Sequence, residues 1–187
     1  MKLIFFDVDG TLIGDKGQVL AQSTKEAIGK ARDNGHICMV NTGRTWRLVA
    51  DWLPGQADFD GYLLGCGSMA RYRGEVLWHR TFSMEQGRRI MEALDRCGID
   101  ALLEGSEENY SKNLSEFRTD AFRHHMGVRY RRKYGAWEEA CGRFDKLFMY
   151  VDEDSRLDRF RQEFAEELDF IDRDRGFWEV IPTGCSK

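Results

Sequence analysis

Four consecutive apolar residues, Leu3–Phe6, are stopped abruptly by Asp7. A short continuous run, rather than an alternation, predicts a strand buried on both faces of a parallel sheet. Ser23 stands three residues before Glu26, and Ala27, Ile28 and Ala31 follow. That pattern predicts a helix opened by a capping box and closed at Asn34-Gly35. Ile37–Val40 predicts a second strand, Thr42-Gly43 the start of a helix that Pro54 ends, and Tyr62–Leu64 a third strand running into Gly65-Cys66-Gly67. Strand, helix, strand, helix, strand at this spacing predicts two βαβ units on one parallel sheet.

The texture changes after residue 75. Val76–Trp78 predicts one strand of a hairpin. Ser83 and Gln86 form a second capping box before Ile90, Met91 and Leu94, with Gly98 as the stop. Residues 104–135 read as polar and irregular. Lys146–Val151 and Phe177–Ile181 predict strands, and Leu157, Phe160, Phe164 and Leu168 step like one face of a helix. The mixture predicts a small α+β domain inserted after the parallel sheet, and the fold class is α/β.

Composition narrows the function. The chain has 187 residues, 42% of them hydrophobic, and a formal charge of −4. That balance argues against a nucleic-acid partner, which demands a basic surface. The longest apolar run, Leu147–Val151, falls far short of the roughly 20 residues of a membrane span, so no membrane partner is expected. Asp7 and Asp9 stop the Leu3–Phe6 run, so it is not expected to be the apolar region of a signal sequence. Five scattered cysteines without a Cys-x-x-Cys pair suggest neither zinc nor disulfides, and fit free thiols in a reducing cytoplasm.

The chemistry concentrates in Asp7-Val8-Asp9-Gly10-Thr11-Leu12, just after the first strand. Ligands of open parallel sheets bind at the carboxyl ends of the strands. There Asp7, nearest the strand, suits a nucleophile forming an aspartyl-phosphate, and Asp9 a general acid and then base. Gly10 lets the backbone turn away and come close to a ligand. A calcium loop would continue with further oxygen ligands, whereas Thr11-Leu12-Ile13 follows here. Asn41-Thr42-Gly43-Arg44 ends the second strand. A hydroxyl and free N–H groups at a helix start would cradle a phosphate, through Thr42 and Gly43, with Arg44 reaching the rest of an anionic substrate.

These segments resemble the haloacid dehalogenase superfamily, in particular its Cof-type phosphatases with a large α/β cap. The match runs through Asp7–Thr11 as the first motif and Thr42–Arg44 as the second. The ending Glu179–Lys187 is similar to the cap exit and third motif. The resemblance implies a Rossmann-like core at residues 1–81, a cap at 82–182 and a return to the core at 183–187. It implies hydrolysis of a small phosphorylated substrate, such as a sugar phosphate, with Asp7 as nucleophile and Asp9 as acid/base. Thr42 would bind phosphate and Lys187 would neutralise its charge. It also implies magnesium (Mg2+), held in the family by the first aspartate, the carbonyl of the second and an acidic residue of a fourth motif. Here the metal residues are Asp7 and Asp9, because the chain reaches no fourth motif. Cys66-Gly67 stands where relatives have Asn-Gly. The resemblance therefore reads 187 residues as a truncated length, with Leu3–Phe6 left as a sheet edge. Two rivals share the motifs: a phosphomutase resembling phosphomannomutase, and a non-catalytic phospho-ligand-binding protein. The basic stretch Arg123–Lys133 would attract an anion or form a solvated face, and His124-His125 has no third ligand to make a metal site.

Overall fold

A computed structural model describes residues 1–14, 18–129 and 134–186, the side chains of Leu114 and of residues 125–129 excepted. The chain divides into two compact units, Met1–Arg80 with the residues from Cys185, and Thr81–Gly184.

In the first unit, β1 (Leu3–Phe6), α1 (Gln22–Asp33), β2 (Ile37–Asn41), α2 (Trp46–Val49) and β3 (Gly61–Leu64) follow one another as the apolar runs predict. A hairpin, β4 (Met69–Tyr72) and β5 (Glu75–His79), completes a sheet in the order β1-β2-β3-β4-β5. The first three strands are parallel and the hairpin is antiparallel. Val8, Leu12, Ile28, Val40, Val49 and Leu64 form its buried core.

Three local expectations fail here. The Ser23–Glu26 box does not form: α1 starts two residues earlier, with Ala21 as its N-cap, and the Ala21 carbonyl accepts the N–H groups of Thr24 and Lys25 without a side-chain cap. The second helix is a single turn that begins only after Thr45, because Thr42–Arg44 are held in a bend by the Thr42 hydroxyl. Finally, β1 is not buried on both faces. Among the described residues it is the sheet edge that the resemblance implied, and Leu3 and Phe5 are about half exposed while Ile4 and Phe6 are partly covered.

The second unit holds α3 (Met84–Cys97), β6 (Asp100–Glu104), β7 (Asn109–Ser111), α4 (Asp120–Arg129), β8 (Gly135–Ala136), β9 (Lys146–Tyr150), α5 (Leu157–Glu163), β10 (Leu168–Asp172) and β11 (Phe177–Pro182). The sheet order is β10-β11-β9-β6-β7-β8, antiparallel except for the last pair. α3 has both halves of its Ser83–Gln86 capping box, and Gly98 closes it in the left-handed conformation. Ala101, Leu103, Leu147, Met149 and Val180 join α3 and α5 in the larger core. The alternate residues Leu102, Phe148, Tyr150 and Phe177 meet Phe117 and Phe122 in a second, smaller one.

Residues 104–135, expected to be irregular, contain β7, α4 and β8. Their organiser is remote: the buried Asp100 carboxylate accepts the N–H groups of Arg118 and Thr119 and the Thr119 hydroxyl, each at 3.0 Å, just ahead of α4. The stripe through Leu168 is likewise not one helix. α5 stops at Glu163 and Leu168 opens β10, yet Phe160, Phe164 and Leu168 still reach the same core. The Arg123–Lys133 stretch falls partly outside the described residues; Arg123 itself pairs with Asp120.

One end of the sheet buries charge. Lys146 is bonded to Glu179 and lies 3.1 Å from Glu104, and Arg173 closes onto the other Glu179 oxygen. Burial alone would raise the Glu179 carboxyl, but Lys146 and Arg173 outweigh it and hold the group at about 2, against an ordinary 4.5. A carboxyl depressed on folding stabilises above its unfolded value and loses that contribution as pH falls towards its folded one. Unfolding free energy should therefore drop by at most about 3 kcal/mol between pH 5 and 2 on this account. Glu179→Gln should flatten that slope in denaturant titrations; an unchanged slope would refute the assignment.

Candidate active site

The ladder register brings three loops to one end of the first sheet. Phe6 pairs with Val40 and Asn41 with Leu63, so Asp7, Thr42 and Gly65 leave their strands side by side. Such strand ends are where an α/β sheet offers ligand contacts.

The loop after β1 is tight. Val8 is fully buried, and its carbonyl accepts the N–H groups of Leu12 and Ile13, each at 3.0 Å. Gly10 takes φ +74°, where a side chain would be strained, and its N–H donates to Ile13 at 2.9 Å. Asp7 is half-buried, one carboxylate oxygen accepting the Val8 N–H at 2.7 Å. Asp9 is exposed and points elsewhere. Arg44 grips it with two bonds, Nε to Oδ2 at 2.9 Å and Nη2 to Oδ1 at 2.6 Å. A bidentate guanidinium fixes a carboxylate's direction as well as adding charge-assisted bonds. The Arg44 guanidinium also lies 5.8 Å from the centre of the Trp52 ring.

Thr42 is 1% exposed, its N–H bonded to Leu63 and its hydroxyl accepting from the Arg44 N–H at 3.2 Å. With α2 a four-residue turn starting at Trp46, no helix N-terminus opens at Thr42-Gly43, which corrects the expected helix start. The turn is packed by Trp46 against Tyr62, with Arg71 4.1 Å over the Trp46 ring. Burial pushes the Tyr62 hydroxyl up to about 12, so it stays neutral.

After β3, Gly65, Cys66 and Gly67 are all left-handed, at φ 57°, 55° and 89°. Cys66 is buried and its N–H reaches the Thr42 carbonyl at 3.3 Å, tying the third loop to the second. A non-glycine in this conformation costs about 1–2 kcal/mol, a strain typical of ligand-binding loops. A β-carbon on Gly67 would come within 2.5 Å of the Ser186 carbonyl oxygen, so only glycine admits the returning chain there. The sequence marks this contact only by the Gly-x-Gly spacing. Lys187, the expected phosphate-neutralising residue, lies outside the described residues. The Asp9–Arg44 pair had no sequence signal, since the two residues are far apart in the chain.

Hard oxygen donors, the Asp7 carboxylate and the Asp9 carbonyl, have the chemistry Mg2+ prefers. Among the described residues no three acidic, histidine or cysteine side chains gather as a metal site. Two such donors are in kind, though not in number, what an octahedral Mg2+ shell takes.

A family model described as haloacid dehalogenase-like hydrolase matches residues 4–187. No curated protein matches significantly. Among solved structures, a hypothetical protein from Geobacillus kaustophilus has a TM-score of 0.78 at 20% identity, over 98% of this chain and 70% of that one. A phosphatase of the haloalkanoate superfamily from Bacteroides thetaiotaomicron scores 0.78 at 21% identity, over 100% and 68%. A subclass IIB sugar phosphatase of that superfamily scores 0.76 at 18%, over 100% and 72%. At these identities the likeness is one of fold. No helix among the described residues is long and apolar enough to cross a membrane.

Proposed function

Because this chain belongs to the haloacid dehalogenase-like hydrolases, we propose that it hydrolyses the phosphate monoester of a small metabolite through a covalent intermediate on Asp7. The observation that carries this is the difference in setting between two carboxylates at one strand end. Asp7 is half-buried and bonded to its own loop, whereas Asp9 is exposed and steered by Arg44.

In the first step the Asp7 carboxylate attacks phosphorus, the P–O bond to the leaving group breaks, and Asp9, protonated on an oxygen that Arg44 has released, gives the leaving oxygen its proton. In the second, Asp9 takes a proton from water as the water oxygen attacks phosphorus, the P–O bond to Asp7 breaks, and inorganic phosphate leaves. The loop N–H groups at Gly10 and Gly43 would face the phosphate, the buried Thr42 hydroxyl would support that loop through its bond to the Arg44 N–H, and Lys187 would supply a balancing positive charge. Mg2+, held by the Asp7 carboxylate and the Asp9 carbonyl, would neutralise charge on the phosphoryl oxygens. Sugar phosphates head the substrate class, following the resemblance and the fold shared with a sugar phosphatase. The free cysteines suit the cytoplasm as its place of action.

The test is phosphate release from a panel of phosphorylated metabolites, with Mg2+ and with chelator. Metal-dependent release is expected. Transfer of phosphate between hydroxyls of one sugar, without release, would overturn the hydrolase reading in favour of a mutase.

Asp9→Asn provides a second check. It should lower kcat by about 10²–10⁴-fold with little change in KM. The loss should shrink for a nitrophenyl phosphate, whose leaving oxygen needs no proton. A change confined to KM would contradict the acid role.

A further inference from the structure

β5 closes the first sheet on the side away from β1, paired with β4 and, among the described residues, with no strand beyond it. Edge strands are normally blunted by charge, proline or cover. The centre of β5 has no charge, proline or cover, and a bulge at Leu77 is the one such device it carries. Val76, Leu77 and Trp78 are three consecutive large apolar residues, 52%, 65% and 53% exposed. Both faces of the strand lack cover, whereas β1 exposes only alternate residues.

The strand is also complementary to itself. In an antiparallel pairing centred on Leu77, Val76 meets the partner's Trp78, Glu75 meets the partner's His79, and Leu77 meets its own copy. Aromatic against β-branched and acid against base are favourable cross-strand pairs. A twofold axis makes every such pair twice, which is how isologous dimers form. We infer that two copies of this chain associate antiparallel along β5 about a twofold axis at Leu77, joining their five-stranded sheets into one.

The irregularity of β5 selects this partner. The ladder pairs Arg71 with Val76 and Ala70 with Trp78, leaving Leu77 as a bulge. A bulge twists an edge away from an ordinary flat strand. A second copy carries the same bulge at the same residue, and on the axis the two irregularities coincide. Adding strands at an open edge is an established mode of association.

The experiment is sedimentation equilibrium of the purified protein over a wide concentration range. A monomer–dimer equilibrium is expected, with Trp78→Glu raising its dissociation constant about tenfold or more. Trp78 is exposed, so the variant should fold, as circular dichroism would verify. Glu75→Lys should weaken the dimer and added His79→Glu should restore it. Leu77→Cys should give a disulfide-linked dimer on mild oxidation, which the parent with its own cysteines does not form. A protein monomeric throughout, a dimer indifferent to Trp78→Glu, or one dissolved by Phe5→Glu instead would each overturn the assignment. Phosphate release plays no part in these readings, so the inference stands or falls apart from the proposed chemistry.

Discussion

Asp7→Asn protein is expected to fold normally and to release phosphate at no more than about 10⁻⁴ of the parent rate. The loss should be this large because an amide oxygen is a poor nucleophile towards phosphorus, and without the covalent step Asp9 and the phosphate-facing backbone have nothing to assist. The fold should survive because Asn keeps an acceptor oxygen for the Val8 N–H, the bond that positions the side chain. The buried Val8 carbonyl and the turn at Gly10 do not depend on the carboxylate. Initial rates of phosphate release, set beside thermal midpoints and circular dichroism, make the comparison. Turnover within tenfold of the parent would eliminate an aspartyl-phosphate on this residue.

The largest effect on stability is expected at Lys146. Its ammonium serves Glu104 and Glu179, and all three side chains are nearly inaccessible to solvent. Lys146→Met preserves most of the packing volume but strands Glu104 without its buried cation and leaves Glu179 to Arg173 alone. Removing one member of a buried ionic network costs about 3–5 kcal/mol, because the remaining charge stays desolvated. The second unit should therefore unfold at lower denaturant, followed by tryptophan fluorescence. Adding Glu104→Met to Lys146→Met should recover part of the loss, since well-packed apolar groups replace such networks at little or no net cost. If the double variant proved less stable than the parent by the full sum of the two single-variant losses, the network reading would be wrong.

Much of the first unit was legible in the sequence, because three short apolar runs in parallel pairing leave a pattern that needs no tertiary information. So was the Asp7–Asp9 loop, whose two carboxylates and glycine are local. What escaped the pattern was set by distant partners. α4 depends on Asp100, a residue of another strand, accepting its leading N–H groups. Leu168 continued a helical stripe in sequence because core burial rewards the same apolar residue in a helix or a strand. The Thr42 bend looked like a helix start because a threonine followed by glycine suits either, and the hydroxyl's bond to the Arg44 N–H decided it. The pairing of Arg44 with Asp9 was invisible because nothing in sequence distance reveals it.

The close approach of Ser186 to Gly67 bears on how the molecule assembles. It joins residues separated by roughly 120 positions, a span whose closure entropy grows only with the logarithm of its length. Most of that span is the second unit, which has a hydrophobic core of its own. Once that core has formed, the ends of the span are separated by a folded body of fixed dimensions instead of a long flexible chain. Connectivity then favours one order of events: residues from Cys185 on settle beside Gly67 at less entropic cost once the inserted unit is compact. A lesion in the insert, such as a broken Lys146 network, would consequently slow closure of the first unit at a distance, with no change in any residue that the first sheet contains.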